Sequence, residues 1–502
     1  MPTARSWTDE LTDLRALVRF RLDGQRSARR RRLRWVVPGL ITAAVLLVGT
    51  VAGLDPDPER ADQLRRLFPV SCLAFLGLVV TSAIASGGGR ELLPRDGATP
   101  YPVGPVVDHL GALLLAPLSV AWLFQAWTLL GVAAYLVPPA DLLPAVLVVL
   151  AWLVAATAAG QVAGWSAETV RRTRHGKPLL RGALVLAVVA ATVLALVGPA
   201  VELGDPDGLR FLRVALVHAW GATWLATVVG LLLATVGLVL LGALPARAAT
   251  RRLPKDEARL ETGNHPARPH PASDFAALHR IDRASVLRSL PLRRGLLTLG
   301  LSPGLIAMVA DLDWDTVILL PGLTASGGAL LFGVNAWCLD ARGALWRESL
   351  PVSAGLAFTV RAGVLLELLL AASAVSVLLG AVRAGVPTLS EGLALGCIWV
   401  VSALMVVSAS MRWSLRKPYA VDLRSARATP APPGVMVGYS GRLALATTVV
   451  GLFFSGVAVL WWPVSIACAL PFVLVSLHRL RRARRGWEDP FVRSRVVTTV
   501  AA

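Results

Sequence analysis

Apolar residues run along this chain in unbroken blocks, with neither the alternation of a half-buried strand nor the narrow stripe of a surface helix. The blocks are Trp35–Leu54, Pro69–Ala85, Val106–Val137, Leu142–Gly164, Leu179–Val201 and Phe211–Leu244, then, after a polar stretch, Leu296–Ala310, Val317–Trp337, Gly355–Ala381, Leu393–Met411, Leu443–Leu460 and Val464–Leu477. About 20 apolar residues wound as a helix cross a hydrocarbon core of roughly 30 Å. Only helices and closed barrels satisfy the backbone there. Continuous blocks therefore predict an all-α, polytopic membrane protein of about twelve transmembrane helices, in two six-helix halves. The third block is long enough to bend at Pro117 or to tilt strongly. The seventh is short and broken by Ser302-Pro303-Gly304, and the last two are divided only at Trp461-Trp462-Pro463.

This pattern divides the chain into an N-terminal cytoplasmic segment (1–34), a first six-span half (35–244), a basic cytoplasmic linker (245–294), a second six-span half (295–478) and a basic cytoplasmic tail (479–502). Two segments outside the spans carry apolar residues at helical spacing. One has Trp7, Leu11, Leu14 and Val18; the other has Phe275, Leu278, Ile281 and Leu287, with Ser273 or Asp274 as N-cap. Both are expected to lie flat at the membrane surface. The alternative is a soluble helix packed on another cytoplasmic segment.

Composition agrees: of 502 residues 55% are hydrophobic and 16% charged, against about 25% charged in soluble domains. The net charge of +19 would suggest nucleic acid on a soluble chain. Its distribution argues otherwise. With the N-terminus in the cytoplasm, Arg26 to Arg34, Arg171-Arg172-Arg174-Lys177, the linker from Arg247 to Arg294, Arg412-Arg416-Lys417 and Arg479 to Arg485 all fall inside. The outer loops hold Asp55, Asp57 and Glu59, then Glu202, Asp205 and Asp207, then Asp311, Asp313 and Asp315. This is positive-inside sorting; no nucleic-acid partner is expected. The localisation that follows is the bacterial cytoplasmic membrane, multi-pass, with both termini inside. The Arg-, Ala- and Gly-rich composition suits a GC-rich bacterium. No cleavable leader is expected, because the first 34 residues are too polar and the run after them is a full span. Cys72, Cys338, Cys397 and Cys468 form no CxxC pair and read as small buried residues. His265, His270 and His279 lie in or after a Pro-rich connector without the acidic or Cys company of a metal site; no metal and no cofactor are expected.

The two halves match at corresponding stations. After the second block comes Gly87-Gly88-Gly89-Arg90-Glu91-Leu92-Leu93 and then Tyr101-Pro102-Val103-Gly104; after the eighth comes Leu339-Asp340-Ala341-Arg342 and then Leu350-Pro351-Val352-Ser353. Glu91 and Asp340 precede their Pro-Val steps by the same interval. Arg172 to Lys177-Pro178 likewise matches Arg412 to Lys417-Pro418. A six-plus-six duplication with both halves in one orientation follows, with a pseudo-two-fold axis along the membrane normal.

On these residues the chain resembles the membrane subunits of ATP-binding-cassette exporters of the type-2 class, especially actinobacterial permeases. Asp340-Ala-Arg-Gly-Ala-Leu-Trp-Arg-Glu-Ser-Leu-Pro-Val-Ser353 is the better match; Gly87 to Gly104 is the other copy, with Gly104 where Ser is usual. The resemblance implies that the turn after the second span of each half rests in a groove of a separate ATPase subunit. It implies ATPase-coupling roles for Glu91, Arg95, Asp340, Arg342, Arg347 and Glu348, and two ATPase copies on one permease. A P-loop needs glycines followed by Lys and Ser or Thr. Here Gly176-Lys177 runs into Pro178, so the chain is not expected to be an enzyme.

Polar residues inside spans are functional candidates by default. Gln125 and Gln161 fall in the third and fourth blocks, His218 in the sixth and Glu367 in the ninth. They are the candidate translocation path, and Arg361 is expected to snorkel toward the cytoplasm. So few intramembrane charges suit a hydrophobic or amphipathic cargo. The alternative is a proton-coupled secondary carrier of the major-facilitator kind. Arg95-Asp96-Gly97 does not fit the loop motif of that class. A membrane-embedded enzyme would show clustered His, Asp or Glu at one face, and the sequence has no such cluster.

Overall fold

The computed structural model describes residues 7–23, 28–86, 104–118, 120–197, 210–250, 269, 271–309, 312–331, 333–420 and 430–501. Among these residues the regular elements are helices alone. Eight stretches are long and apolar enough to cross a membrane: Leu67–Ile84, Pro139–Arg171, Ala222–Ala249, Trp314–Asn335, Ala354–Ala384, Leu389–Arg416, Gly438–Ala458 and Pro463–Glu488. The helical, polytopic class therefore stands, with eight such stretches among the described residues where the sequence suggested about twelve. The chain divides into two compact units, Met1–Leu186 with Pro199–Pro254, and Ala187–Gly198 with Lys255–Ala502.

The first unit contains α1 (Trp7–Asp23), α2 (Ala28–Ala52), α3 (Pro58–Ser86), α4 (Pro105–Leu115), α5 (Val120–Leu136), α6 (Leu142–Arg171), α8 (Arg210–Val217) and α9 (Ala222–Thr250); α7 (Gly176–Val197) runs across the division of the units. The third apolar block bends where Pro117 lies, in a 3-10 turn over Ala116–Leu118. The sixth breaks at a turn after Val217, where Trp220 takes a left-handed φ of 59°. The central element is α6, which packs on α3 and α9. Gly160 and Gly164 make the contact with α3: a Cβ on Gly160 would lie 3.1 Å from the backbone carbon of Val79, and one on Gly164 2.9 Å from the Ala83 carbonyl oxygen. Such small-xxx-small faces let helix backbones approach where lipid removes the hydrophobic drive. Indole donors tie the helices further, from Trp152 to the Cys72 carbonyl (3.2 Å), from Trp224 to the Pro144 carbonyl (3.0 Å) and from Trp122 to the Thr157 hydroxyl (2.9 Å). Along α9, Leu225, Val229, Leu232, Leu233, Val236 and Leu240 are exposed. A face that apolar suits lipid and not water.

The second unit contains α10 (Asp274–Arg288), α11 (Leu290–Val309), α12 (Trp314–Val317), α13 (Leu320–Ala329), α14 (Ala344–Glu348), α15 (Ala354–Ala384), α16 (Leu389–Arg416), α17 (Pro433–Ala458), α18 (Pro463–Glu488) and α19 (Pro490–Ala501). Local chemistry sets the ends. Ser353 caps α15 by accepting from the Leu356 amide, Gly385 ends it at a φ of 75°, and Thr388 with Glu391 forms a reciprocal capping box on α16. The eighth block is not one straight helix but α12, a bend and α13. The tail is no loose segment: α18 runs on to Glu488 and α19 folds back, burying Val496, Val497 and Val500 in the core with Trp487.

Candidate functional site

The turn from Ala336 to Ser353 is assembled on four helices. Its entry is fixed by Asn335, whose amide donates to the Tyr419 and Pro430 carbonyls at 2.8 and 3.1 Å, and by the Ser414 hydroxyl of α16, which accepts from the Ala336 amide at 2.8 Å. Asp340 begins a 3-10 turn, and Ala341 follows it at a left-handed φ of 41°. A non-glycine residue held there is strained and persists only where its surroundings fix it.

What fixes it is a buried ion network. Arg361 of α15 is 1% exposed and does not snorkel. Its guanidinium donates to both Asp282 oxygens (2.9 and 3.0 Å), to Asp340 (2.7 Å) and to the Ala336 carbonyl (2.7 Å). Arg347 of α14 closes the ring on Asp282 and on Asp340, the latter at 3.1 Å. Two carboxylates and two guanidiniums balance, and Arg361 uses the rigid fork that makes arginine suited to paired carboxylates. An isolated arginine on a lipid-facing helix reaches for water; this one has acids within reach, so it turns inward. The guanidinium carbon of Arg361 also sits 5.3 Å from the centre of the Trp337 ring, which stacks at 3.7 Å on Trp487. Burial pushes the Asp282 carboxyl up, but the charges and hydrogen bonds of Arg361 and Arg347 outweigh that and hold it below the usual carboxylate range.

Asp282 comes from α10, the second predicted amphipathic helix, and Ser273 is its N-cap. The buried face is Leu278, Asp282 and Val286, while Phe275, Ile281 and Leu287 are exposed. On that face α10 seats its acid in the turn and lies along α15. Asp282, Trp337 and Trp487 are site residues that the apolar pattern missed. The available signal was an acid spaced i+4 between two apolar residues.

The remaining predicted residues are spread out. Glu367 of α15 binds α10, accepting from His279 at 2.9 Å and pairing with Arg283 at 3.2 Å. Glu348 pairs with Arg493 of α19. Arg342 lies in the turn, its side chain outside what the structure describes; Glu91 and Arg95, with the whole first turn to residue 103, lie outside the described residues. In the first unit Gln161 is buried and Gln125 half-buried, each with an amide oxygen that has no hydrogen-bond partner among the described residues. His218 is exposed in the turn between α8 and α9, ahead of the span and not within it. In that unit Glu10 of α1 places its carboxylate where a Cβ on Gly104 would stand.

Outward, the turn presents Leu345 and Trp346, 57% and 62% exposed. Inward, a cavity of about 120 Å³ separates it from α19, lined by Asp340, Arg347, Glu348, Trp337, Trp487 and Arg493 among others. In the first unit the basic segment that ends α6 is a helix tie: Glu168 holds Arg171 and Arg172, and Arg171 donates to the Ile84 carbonyl at the end of α3 (3.1 Å). Among the described residues no group of three His, Cys, Asp or Glu is placed to hold a metal. No family model, curated protein or solved structure matches the chain.

Proposed function

We propose that this chain is the membrane-spanning permease subunit of an ATP-driven exporter, energised by a separate ATPase, in two copies, that docks on its cytoplasmic turns. The observation that carries the reading is the turn at Asp340–Ser353. A buried four-charge network makes it rigid, while its outer surface offers a leucine and a tryptophan to a soluble partner. An element that passes a push to spanning helices needs both properties. In this reading the chain has twelve spans in two six-helix halves, lies in the bacterial cytoplasmic membrane with both termini inside, and moves a hydrophobic or amphipathic cargo. Asp340 and Arg347 hold the second turn in shape, Arg342 and Glu348 flank its docking surface, and Glu91 and Arg95 occupy the equivalent turn of the first half.

The test is co-purification with the ATPase encoded beside the chain, and ATP-dependent uptake into inverted vesicles. Leu345→Ala with Trp346→Ala is expected to weaken ATPase association by tenfold or more, since tryptophan anchors carry much of the binding energy of such interfaces, and to leave the thermal transition of the permease unchanged. Uptake that ignores ATP and vanishes with the proton gradient would establish the carrier instead.

A further inference from the structure

The ends of α16 and α18 bring together four arginines that have no partner among the described residues. Arg412 and Arg416 lie one turn apart on α16, and Arg479 and Arg482 nearly one turn apart on α18; the two helices pack along their length. All four side chains are exposed, and the charges of Arg416, Arg479 and Arg482 act directly on Arg412. Among the described residues none of the four has an acidic partner or a hydrogen bond. The contrast within the same unit is sharp. Arg347, Arg361, Arg484 and Arg493 each hold a carboxylate. Positive-inside sorting asks for basic residues near a span end; it does not ask that side chains from two helices converge and repel. Like charges that close, at the end of two spanning helices, call for a diffuse or bound anion.

The neighbouring surface narrows the anion. On the arginine face of α18, Val475 stands one turn before Arg479 and Pro471 one turn before that, both exposed. On α16, Ala409 and Met405 precede Arg412 on the same side, half-buried. An apolar strip thus leads along both helices into the four guanidiniums. A free anion has no use for such a strip, whereas a phospholipid places its acyl chains along it and its phosphate at its end. Clusters of basic residues at this level recognise anionic lipid.

We infer that Arg412, Arg416, Arg479 and Arg482 form a binding site for the phosphate headgroup of an anionic phospholipid, whose chains lie along Val475 and Pro471. The site is separate from the Asp340 turn and does not depend on the transport reading. It is a place where the composition of the surrounding leaflet acts on the packing of α16 against α18.

The full chain, extracted in mild detergent and examined by native mass spectrometry, is expected to retain phosphatidylglycerol or cardiolipin. Arg412→Gln with Arg479→Gln is expected to lower that occupancy by about tenfold or more. Arg481→Gln with Arg484→Gln removes the same charge from exposed positions on the opposite face of α18 and is expected to leave it unchanged. Arg482→Gln alone gives an intermediate loss and guards against misfolding of the double variant, as does an unaltered gel-filtration profile. In nanodiscs, phosphatidylglycerol is expected to raise the thermal transition of the wild type above that in phosphatidylcholine, and the first variant to lose that gain. Equal losses from the two double variants, no anionic lipid on the wild type, or the same thermal protection from inorganic phosphate would each overturn the site.

Discussion

Asp282 is the residue on which most of the second unit's polar chemistry converges. It is fully buried and holds two arginines from two other elements. Removing one partner from such a group leaves buried charge uncompensated, at about 3–5 kcal/mol. Asp282→Asn is therefore expected to destabilise the second unit by that order in a denaturation titration, and in a cycle with Arg361→Gln the two losses should add to much less than their sum. The pH dependence has a definite sign. The folded carboxyl titrates below its unfolded value, so its contribution is present above about pH 4 and fades as the pH falls through the lower, folded value. Thermal scans from pH 7 to pH 3 should show wild type losing its advantage over Asp282→Asn at the acid end. A smaller effect of opposite sign belongs to Ala341. Its left-handed backbone costs an L-residue about 1–2 kcal/mol, so Ala341→Gly is expected to raise stability by about 0.5–1 kcal/mol, less the added chain freedom of the unfolded state. Neither residue was legible in advance. Apolar periodicity counts an acid as outward-facing, and a partner some 80 positions away leaves no trace in local spacing.

Elements were far more legible, because an apolar block of span length has one stable form in lipid. The described part of each block falls in a helix or a broken helix. The bend at Pro117 was visible as a missing amide donor. The break after Val217 was not, since a turn containing Trp220 at positive φ carries no glycine at the strained position. The contact of α6 with α3 is the clearest case of an element held by what is absent from its side chains. Gly164→Leu forces the helices apart at Ala83, and overpacking of this kind costs about 1–3 kcal/mol. A pair of engineered cysteines on α3 and α6 near that contact should cross-link readily in wild type and poorly in this variant.

For the molecule as a whole, the charge pattern suggests an orientation and the paired turns suggest two related halves, but the folding of the tail was hidden. The segment after 479 reads as polar and basic, yet α19 turns three valines into the core. Burying a valine is worth about 1.5 kcal/mol or more. Deletion from Pro490 onward is thus expected to weaken hydrogen-exchange protection around Trp337 and α14 and to leave the first unit as protected as before. One dimension of the second unit has a mechanical meaning. At 31 residues α15 is about 46 Å long, well beyond the roughly 30 Å of hydrocarbon. From Leu368 to Val382 it carries no charge, while Arg361 and Glu367 are clamped to α10. The part before Glu367, about 20 Å, is therefore an arm tied to α10 at two points. A tilt of about 10° would move its tip by roughly 3 Å on that length, and α10, fastened at both points, would have to travel with it.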